Sequence, residues 1–298
     1  MIASKWKNEK HGAQWINTLS TYAFPVFGSK EISAVSKADV LAVLEPIWTT
    51  KAETASRVRQ RIRAVLDWAA ARDYRHGHDP HLWDQVARSL PNSKDVKKAK
   101  HFAACPYKEI HDALQAIGQS PASDKVKLAL HFIILTAARS GEVRGARWSE
   151  IGWDEKRWTI PAERMKAGLE HRIPLSTSAL EILKTMRRHG NELDDGLIFP
   201  SDRDKPFSDM TFTMLLRRLD LPFTVHGFRS TFRDWAAEQT AFPREVCEAA
   251  LAHVSGKDAT EAAYFRSDLF EKRRELMQAW AQYCATKTSK SNTYKKAA

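Results

Sequence analysis

Cysteine is nearly missing from this chain: Cys105, Cys247 and Cys284 are the only three in 298 residues. Their spacing suits no metal site, and an odd number leaves one unpaired in any disulfide scheme, so a reducing cytoplasm fits the composition. Long hydrophobic runs are missing too. The longest, Leu128 to Ala138, is interrupted by His131 and is too short to cross a bilayer, so it reads as a buried core helix and membrane partners are excluded. Met1 to Trp15 is polar and charged, which excludes a secretory signal. No internal repeat and no carboxylate cluster suited to Mg2+ stand out.

Acidic residues are outnumbered. Forty-seven Lys and Arg against 36 Asp and Glu leave a net charge of +11, which points to a polyanionic partner. The excess is larger in residues 1 to 100, at +7, than in residues 101 to 298, at +4, so both halves are candidates to face nucleic acid.

Helical patterns outnumber strands, and the expected fold is mainly α with a small β-sheet (α+β), in two domains. Residues 1 to 90 read as a small helical domain. Ser36 and Asp39 open a helix with a capping box, and Pro46 limits it. From Glu53 to Arg72, Ala55, Val58, Ile62, Val65, Leu66 and Ala69 form an apolar stripe, while Arg57, Arg59, Arg61 and Arg63 project elsewhere. These arginines form either a solvated helix face or a DNA-backbone contact; four closely spaced cations without interleaved acids favour the second. Residues 91 to 100 form a basic linker carrying Lys94, Lys97, Lys98 and Lys100, a further backbone contact if it lies along a duplex.

A second domain spans residues 101 to 285. Pro106 starts a helix with Tyr107, Ile110, Leu114 and Ile117 on one face, and a second helix runs from about Ser123 to near Arg139. Trp158 to Ile160 and Arg172 to Leu175 read as strands joined through Met165 to Glu170, and Leu197 to Phe199 as a further strand. Phe212, Leu215, Leu216 and Leu219 mark another helix, and Asp268 caps a last one whose stripe is Phe270, Met277, Trp280, Ala281 and Cys284. Residues 286 to 298 read as a disordered basic tail.

The organising stretch is Val225 to Phe265. Phe228, Phe232, Trp235 and Ala236 form an apolar stripe at helical period, and His226, Arg229 and Arg233 share the opposite side. A cationic helix face suits a phosphate. His253 and Tyr264 follow, and upstream stand Arg139, three residues before Glu142, and Lys166 within the strand-turn-strand segment. Taken singly, each has an ordinary structural reading: Arg139 pairs with Glu142, His253 caps a helix, and Arg164 and Arg172 compete with Lys166.

Taken in order, Ala138-Arg139-Ser140-Gly141-Glu142, Arg164-Met165-Lys166, His226-Gly227-Phe228-Arg229, Leu251-Ala252-His253 and Ala263-Tyr264-Phe265-Arg266 resemble the active-site motifs of the tyrosine recombinases, the phage-integrase family. Trp235-Ala236-Ala237-Glu238 and Ile173-Pro174-Leu175-Ser176 look most like prophage and genomic-island integrases. The resemblance spans roughly residues 5 to 285. It implies a core-binding domain, a linker and a catalytic domain that clamp a duplex like a C. Such integrases usually carry a further N-terminal arm-binding domain, which the resemblance does not include here.

The resemblance also implies a chemistry. Arg139 and Arg229 fork onto the scissile phosphate, His253 hydrogen-bonds it, and Tyr264 attacks with His226 assisting its proton. Lys166 protonates the departing 5'-oxygen, which leaves a 3'-phosphotyrosyl enzyme needing neither cofactor, metal nor ATP. The partners implied are double-stranded DNA attachment sites, a homotetramer on synapsed DNA and accessory DNA-bending proteins, at the nucleoid. Two other readings stand beside this one: type IB topoisomerase-like relaxation, and a DNA-binding protein that has lost recombination.

Overall fold

The computed structural model describes residues 9–76, 79–92, 96, 102–188, 195–253 and 267–287. The chain divides into two compact units, Met1–Lys100 and His101–Ala298.

The first unit is helical: α1 (Glu9–Tyr22), α2 (Phe24–Phe27), α3 (Lys37–Trp48), α4 (Ala52–Ala70) and α5 (Leu82–Ser89). Ser36 caps α3 through a reciprocal box with Asp39, and Lys30 joins that carboxylate at 2.6 Å. The resulting hydrogen bonds, with Lys30 first, hold the Asp39 carboxyl down at about 2. Pro46 does not end the helix as expected. It sits in the last turn, where one missing N–H interrupts little, and α3 continues to Trp48. Val40, Val43 and Leu44 pack against Ala55, Val58, Ile62 and Leu66 of α4, the stripe read from the sequence.

The second unit opens with a 3-10 turn, Tyr107–Glu109, so Pro106 precedes that turn rather than starting the helix. There follow α6 (Ile110–Gln119), α7 (Asp124–Thr136), α8 (Ser140–Arg144), a small sheet of β1 (Ile151–Gly152), β2 (Arg157–Ile160) and β3 (His171–Pro174), then α9 (Thr177–Arg188), α10 (Thr211–Arg218), α11 (Gly227–Gln239), α12 (Arg244–Ala250) and α13 (Phe270–Ala285). The sheet is antiparallel in the order β1-β2-β3. Trp158 pairs with Ile173 and Ile160 with His171, and all four are buried, so this face turns to the core. The fold is mainly helical with a small sheet, as the patterning implied.

Two local readings need correction. Leu197 to Phe199 is no strand: Leu197 makes one isolated bridge to Arg147, and Ile198 and Phe199 are buried as core residues instead. Asp268 does not cap α13. Leu269 holds the cap position at φ 54°, while the Asp268 carboxylate receives Arg273 and Arg172, both at 2.8 Å. Two cations outbid the helix end for that carboxylate. The expected tail and linker lie largely outside the described residues.

α13 runs through the heart of this unit. Trp280 is fully buried, donates its indole N–H to the Ile134 carbonyl at 2.9 Å, and packs on Phe232 and Trp235 of α11. The other side of the α11 entry is closed by the segment around Ala103. The Ala103 carbonyl accepts the Thr224 N–H at 2.9 Å, and the Cys105 carbonyl accepts the Thr231 hydroxyl at 2.6 Å. Glycine at 227 is what allows this approach, since a Cβ there would lie 2.1 Å from the Ala103 oxygen. Gly227→Ala is therefore expected to destabilise the protein by about 1–3 kcal/mol, as overpacking against backbone does, measured by denaturant titration; an unchanged midpoint would mean that the Ala103 segment moves aside freely.

Candidate active site

Two helix ends build the site, and both use an alanine in the left-handed conformation. Ala137 closes α7 at φ 50°, and Ala252 follows α12 at φ 47°. Each costs on the order of 1–2 kcal/mol relative to ordinary backbone. The return is a pair of carbonyl-bearing turns aimed at two arginines. Arg229, on the first turn of α11, donates to the carbonyls of Ala137 and Leu251. Arg139, the residue that precedes α8, donates to Glu142 at 2.7 Å and reaches the Ala252 carbonyl at 3.4 Å. Glu142 also accepts the Arg139 backbone N–H at 2.7 Å, so one carboxylate holds both ends of that residue.

The turn after α12 is a Schellman motif. The His253 N–H bonds the Glu248 carbonyl at 3.0 Å, and the Ala252 N–H bonds that of Ala249 at 3.1 Å. It swings the His253 ring back over the helix, where Nδ1 lies 2.7 Å from the Glu248 carboxylate and Nε2 lies 3.4 Å from Arg229 Nη2. His226 stands at the N-cap of α11 with its ring edge-on to Phe102.

The charge balance is unusual. Arg229 is 5 % exposed, and its hydrogen bonds run to carbonyls and an imidazole, with no carboxylate among them in the described residues. Its buried Nε has no partner among the described residues. Burial, with Arg139 beside it, brings its guanidinium down to about 10, still cationic at neutral pH. His226 is pushed below the usual imidazole value by partial burial first, then by Arg229, Arg139, His253 and Lys166. That places Lys166 within electrostatic reach of His226, and leaves His226 neutral near pH 7.

Lys166 is exposed in the turn between β2 and β3, whose base is fixed on both sides. Met165 is buried, and Arg164 binds Glu150 and the Glu142 carbonyl. Arg164 and Arg172, the neighbours considered in place of Lys166, are thus engaged: Arg172 pairs with Asp268 and stacks on Phe270. Arg233 likewise leaves the expected cationic face, because its Nε donates to Glu248 at 2.8 Å. Tyr264 lies outside the described residues, as do Lys94, Lys97, Lys98 and Lys100.

The four arginines of α4 behave differently from one another. Arg57 and Arg63 are exposed and bind acids one turn away, Glu53 and Asp67, so acids that flank the run pair with its ends although none is interleaved within it. Arg59 stacks over Trp48. Arg61 is buried, at 7 % exposure, and donates to the Gln14 carbonyl and Thr18 hydroxyl of α1. Its surroundings make it a structural tie rather than a displayed charge.

Comparison with known proteins shows the family of the chain. Residues 1–86 match the model of the phage integrase central domain, and residues 105–269 match that of the phage integrase family. The chain belongs to the phage integrase family. It is a tyrosine-type site-specific recombinase. The prophage integrase IntA of Escherichia coli strain K12 is 30% identical over 296 residues, covering 94% of this chain and 68% of that protein. The integrase of Enterobacteria phage P4 is 29% identical over 307 residues, covering 95% and 68%. In fold, a lambda integrase dimer bound to a COC' core site superposes with a TM-score of 0.64 at 20% identity, covering 90% of this chain and 92% of that chain. The Tn1549 transposon integrase in complex with circular intermediate DNA gives 0.62 at 14%, covering 91% and 94%.

The recombinase carries two site neighbours that its sequence pattern did not reveal. Glu248 is five residues from His253, a spacing that on a continuous helix points away; only the left-handed Ala252 brings them together. His171 faces the core from β3, and burial first, then Arg273, with Arg139 and Arg229 adding to it, lowers its imidazole to about 4. An unfolded histidine titrates near 6.5, so between those values the unfolded chain binds the extra proton. Stability should therefore fall as pH drops from about 6.5 to about 4, by about 3 kcal/mol from this one group, and be flat in this respect above 6.5. Denaturation of His171→Gln beside the parent across this range checks it: the variant's loss should be smaller by that amount, and parallel curves would show that His171 titrates in the fold as it does in the unfolded chain.

Proposed function

We propose that this recombinase cleaves and rejoins DNA attachment sites through a 3'-phosphotyrosyl intermediate, with Tyr264 as nucleophile. The observation that carries the reading is the buried Arg229 guanidinium without a carboxylate partner, converging with Arg139, His226 and His253 on one spot. A buried cation with no carboxylate in its hydrogen-bond shell attracts an arriving anion strongly, and two guanidiniums suit the non-bridging oxygens of a phosphodiester. Their pull is greatest when those oxygens carry the added charge of the pentacoordinate transition state.

Tyr264 supplies the attacking oxygen. A phenol is ordinarily protonated at neutral pH, and a neutral His226 is a competent acceptor for that proton. Lys166, on its anchored turn, donates a proton to the 5'-oxygen as it leaves. His253 binds the phosphate. The bond energy is retained in the phosphotyrosine, so a 5'-hydroxyl from a second strand reverses the step without metal or ATP. Two such exchanges between paired duplexes give recombination, and a tetramer on synapsed DNA is the assembly that supplies four nucleophiles. A lambda integrase tetramer bound to a Holliday junction shares the fold, with a TM-score of 0.65 at 17% identity over 86% of this chain and 75% of that one. Accessory DNA-bending proteins would assist synapsis. No helix among the described residues is long and apolar enough to cross a membrane; the setting proposed is the cytoplasmic nucleoid.

Tyr264→Phe should bind DNA as the parent does but form no adduct that survives SDS; an adduct from this variant would assign the nucleophile elsewhere. Lys166→Ala should cleave ordinary DNA poorly yet recover most of the parent rate on a strand with sulfur replacing the bridging 5'-oxygen, because a thiolate leaves without a proton. Equal slowness on both strands removes Lys166 from the role of acid.

The first unit contributes phosphate contacts through Arg57, Arg59 and Arg63 and through the linker lysines. Removing any of the exposed pair Arg57 or Arg63 should lower the slope of log affinity against log salt by about one. Arg61→Ala should instead lower the unfolding midpoint and leave the slope alone; a slope change at Arg61 would return it to the DNA contacts.

A further inference from the structure

His253 is held by two neighbours that agree on where its proton sits. Glu248 Oε2, 2.7 Å from Nδ1, is an acceptor when ionised, so Nδ1 must be the donor. Arg229 Nη2, 3.4 Å from Nε2, is a donor with no lone pair to offer, so Nε2 must be the acceptor. Both require the same neutral tautomer. The Glu248 carboxylate is kept ionised: burial alone would raise it, but the hydrogen bonds from Arg233 and His253 more than offset that and set it below the usual glutamate value.

This tautomer is wrong for a phosphate. A phosphodiester oxygen only accepts, so Nε2 reaches it only by carrying a proton. Swapping the tautomer would leave the Nδ1 lone pair facing a carboxylate 2.7 Å away. Taking up a second proton from solvent would not. We propose that Glu248 is a positioning residue that fixes His253 with Nδ1–H on its carboxylate and stabilises the imidazolium that forms when a phosphate group occupies the arginine pair. The inference rests on the reading of this site as a phosphate site and adds how one of its donors becomes available.

The surroundings make that proton conditional. Arg229 from α11 and Arg139, just before α8, oppose a further positive charge on the ring, with His226 and Lys166 beside them. Glu170, Glu245 and Asp268 share a cavity of about 270 Å3 with His253, together with His171 and Arg273, and Asp268 is already paired with Arg273. Glu248 is therefore the one carboxylate seen in contact with the ring among the described residues, and an incoming phosphate supplies the rest of the compensation. Its two oxygens divide the work, with Arg244 also 3.7 Å from Oε1. Oε1 takes Arg233 at 2.8 Å, which ties α12 to α11, and Oε2 takes His253.

The test is nitrogen NMR on the full chain with labelled histidine, His253 being assigned by its loss in His253→Gln, with inorganic phosphate as the probe. In the free parent the neutral ring of His253 should carry its proton on Nδ1, and saturating phosphate should raise the pH at which Nε2 is protonated as well. Glu248→Gln keeps an acceptor for Nδ1 and removes the charge, so the tautomer should persist while the phosphate-bound midpoint falls by about one pH unit or more. Arg233→Gln, which breaks the tie between helices and spares the ring contact, should keep the parent's midpoint. A proton on Nε2 in the neutral ring of the free parent, an unshifted midpoint in Glu248→Gln, or the same fall in Arg233→Gln would each overturn the proposal. Phosphate-driven protonation in a protein that forms no SDS-stable adduct on any DNA would count against the cleavage reading and for the role of Glu248.

Discussion

A cation buried among carbonyls is the constraint on which this catalytic unit depends. Arg229 sits at 5 % exposure with a charge that no carboxylate in its hydrogen-bond shell neutralises. Moving such a group out of water is costly, and breaking its remaining contacts would cost several kcal/mol more. The fold meets that cost with backbone: the turns after α7 and α12 adopt strained left-handed conformations to deliver the oxygens of Ala137 and Leu251. Dipoles solvate the guanidinium without cancelling its charge, which a carboxylate partner would have done. The site is thereby stable as a protein and still hungry for an anion.

The remaining parts are arranged around that choice. Glu142 fixes Arg139 but spends its charge on a half-exposed partner at the rim, so the pair orients without closing the site. Glu248 fixes His253 in the same manner from the other side. Arg164 ties the Lys166 turn to α8 through the Glu142 carbonyl, so a flexible lysine stands on a rigid base. Arg139, His253 and the Lys166 turn are thus each backed by a side chain outside the proposed phosphate position, and the backing groups come from different elements. This distribution explains why α11, with the Gly227 contact at its start and Trp280 packed along its length, must be placed accurately.

Much of this was legible in the sequence because it is local. The α3 capping box, the apolar stripe of α4, the β2 and β3 segments and the α11 stripe depend on residues within a few positions of one another, and periodicity reports them directly. Arg139, Lys166, His226, Arg229 and His253 were readable as a set because their order and flanks are distinctive, and the Arg139–Glu142 pair because three residues separate its members.

Tertiary structure decided what each charge is for. Arg61 and Arg63 are two residues apart and alike in sequence, yet one is buried against α1 and the other lies on the surface, because only one angular position on α4 faces a neighbouring helix. Arg229 and Arg233 lie one turn apart on the same helix, and the second is taken by a carboxylate from α12. Asp268 looked like a cap until two arginines from other elements reached it. Glu248 and His171 carried no sequence signal, since their meaning comes from a left-handed alanine and a strand register. Local pattern determines which elements form; which charges are neutralised and which remain available depends on contacts between elements far apart in the chain, and those exist only in the folded protein.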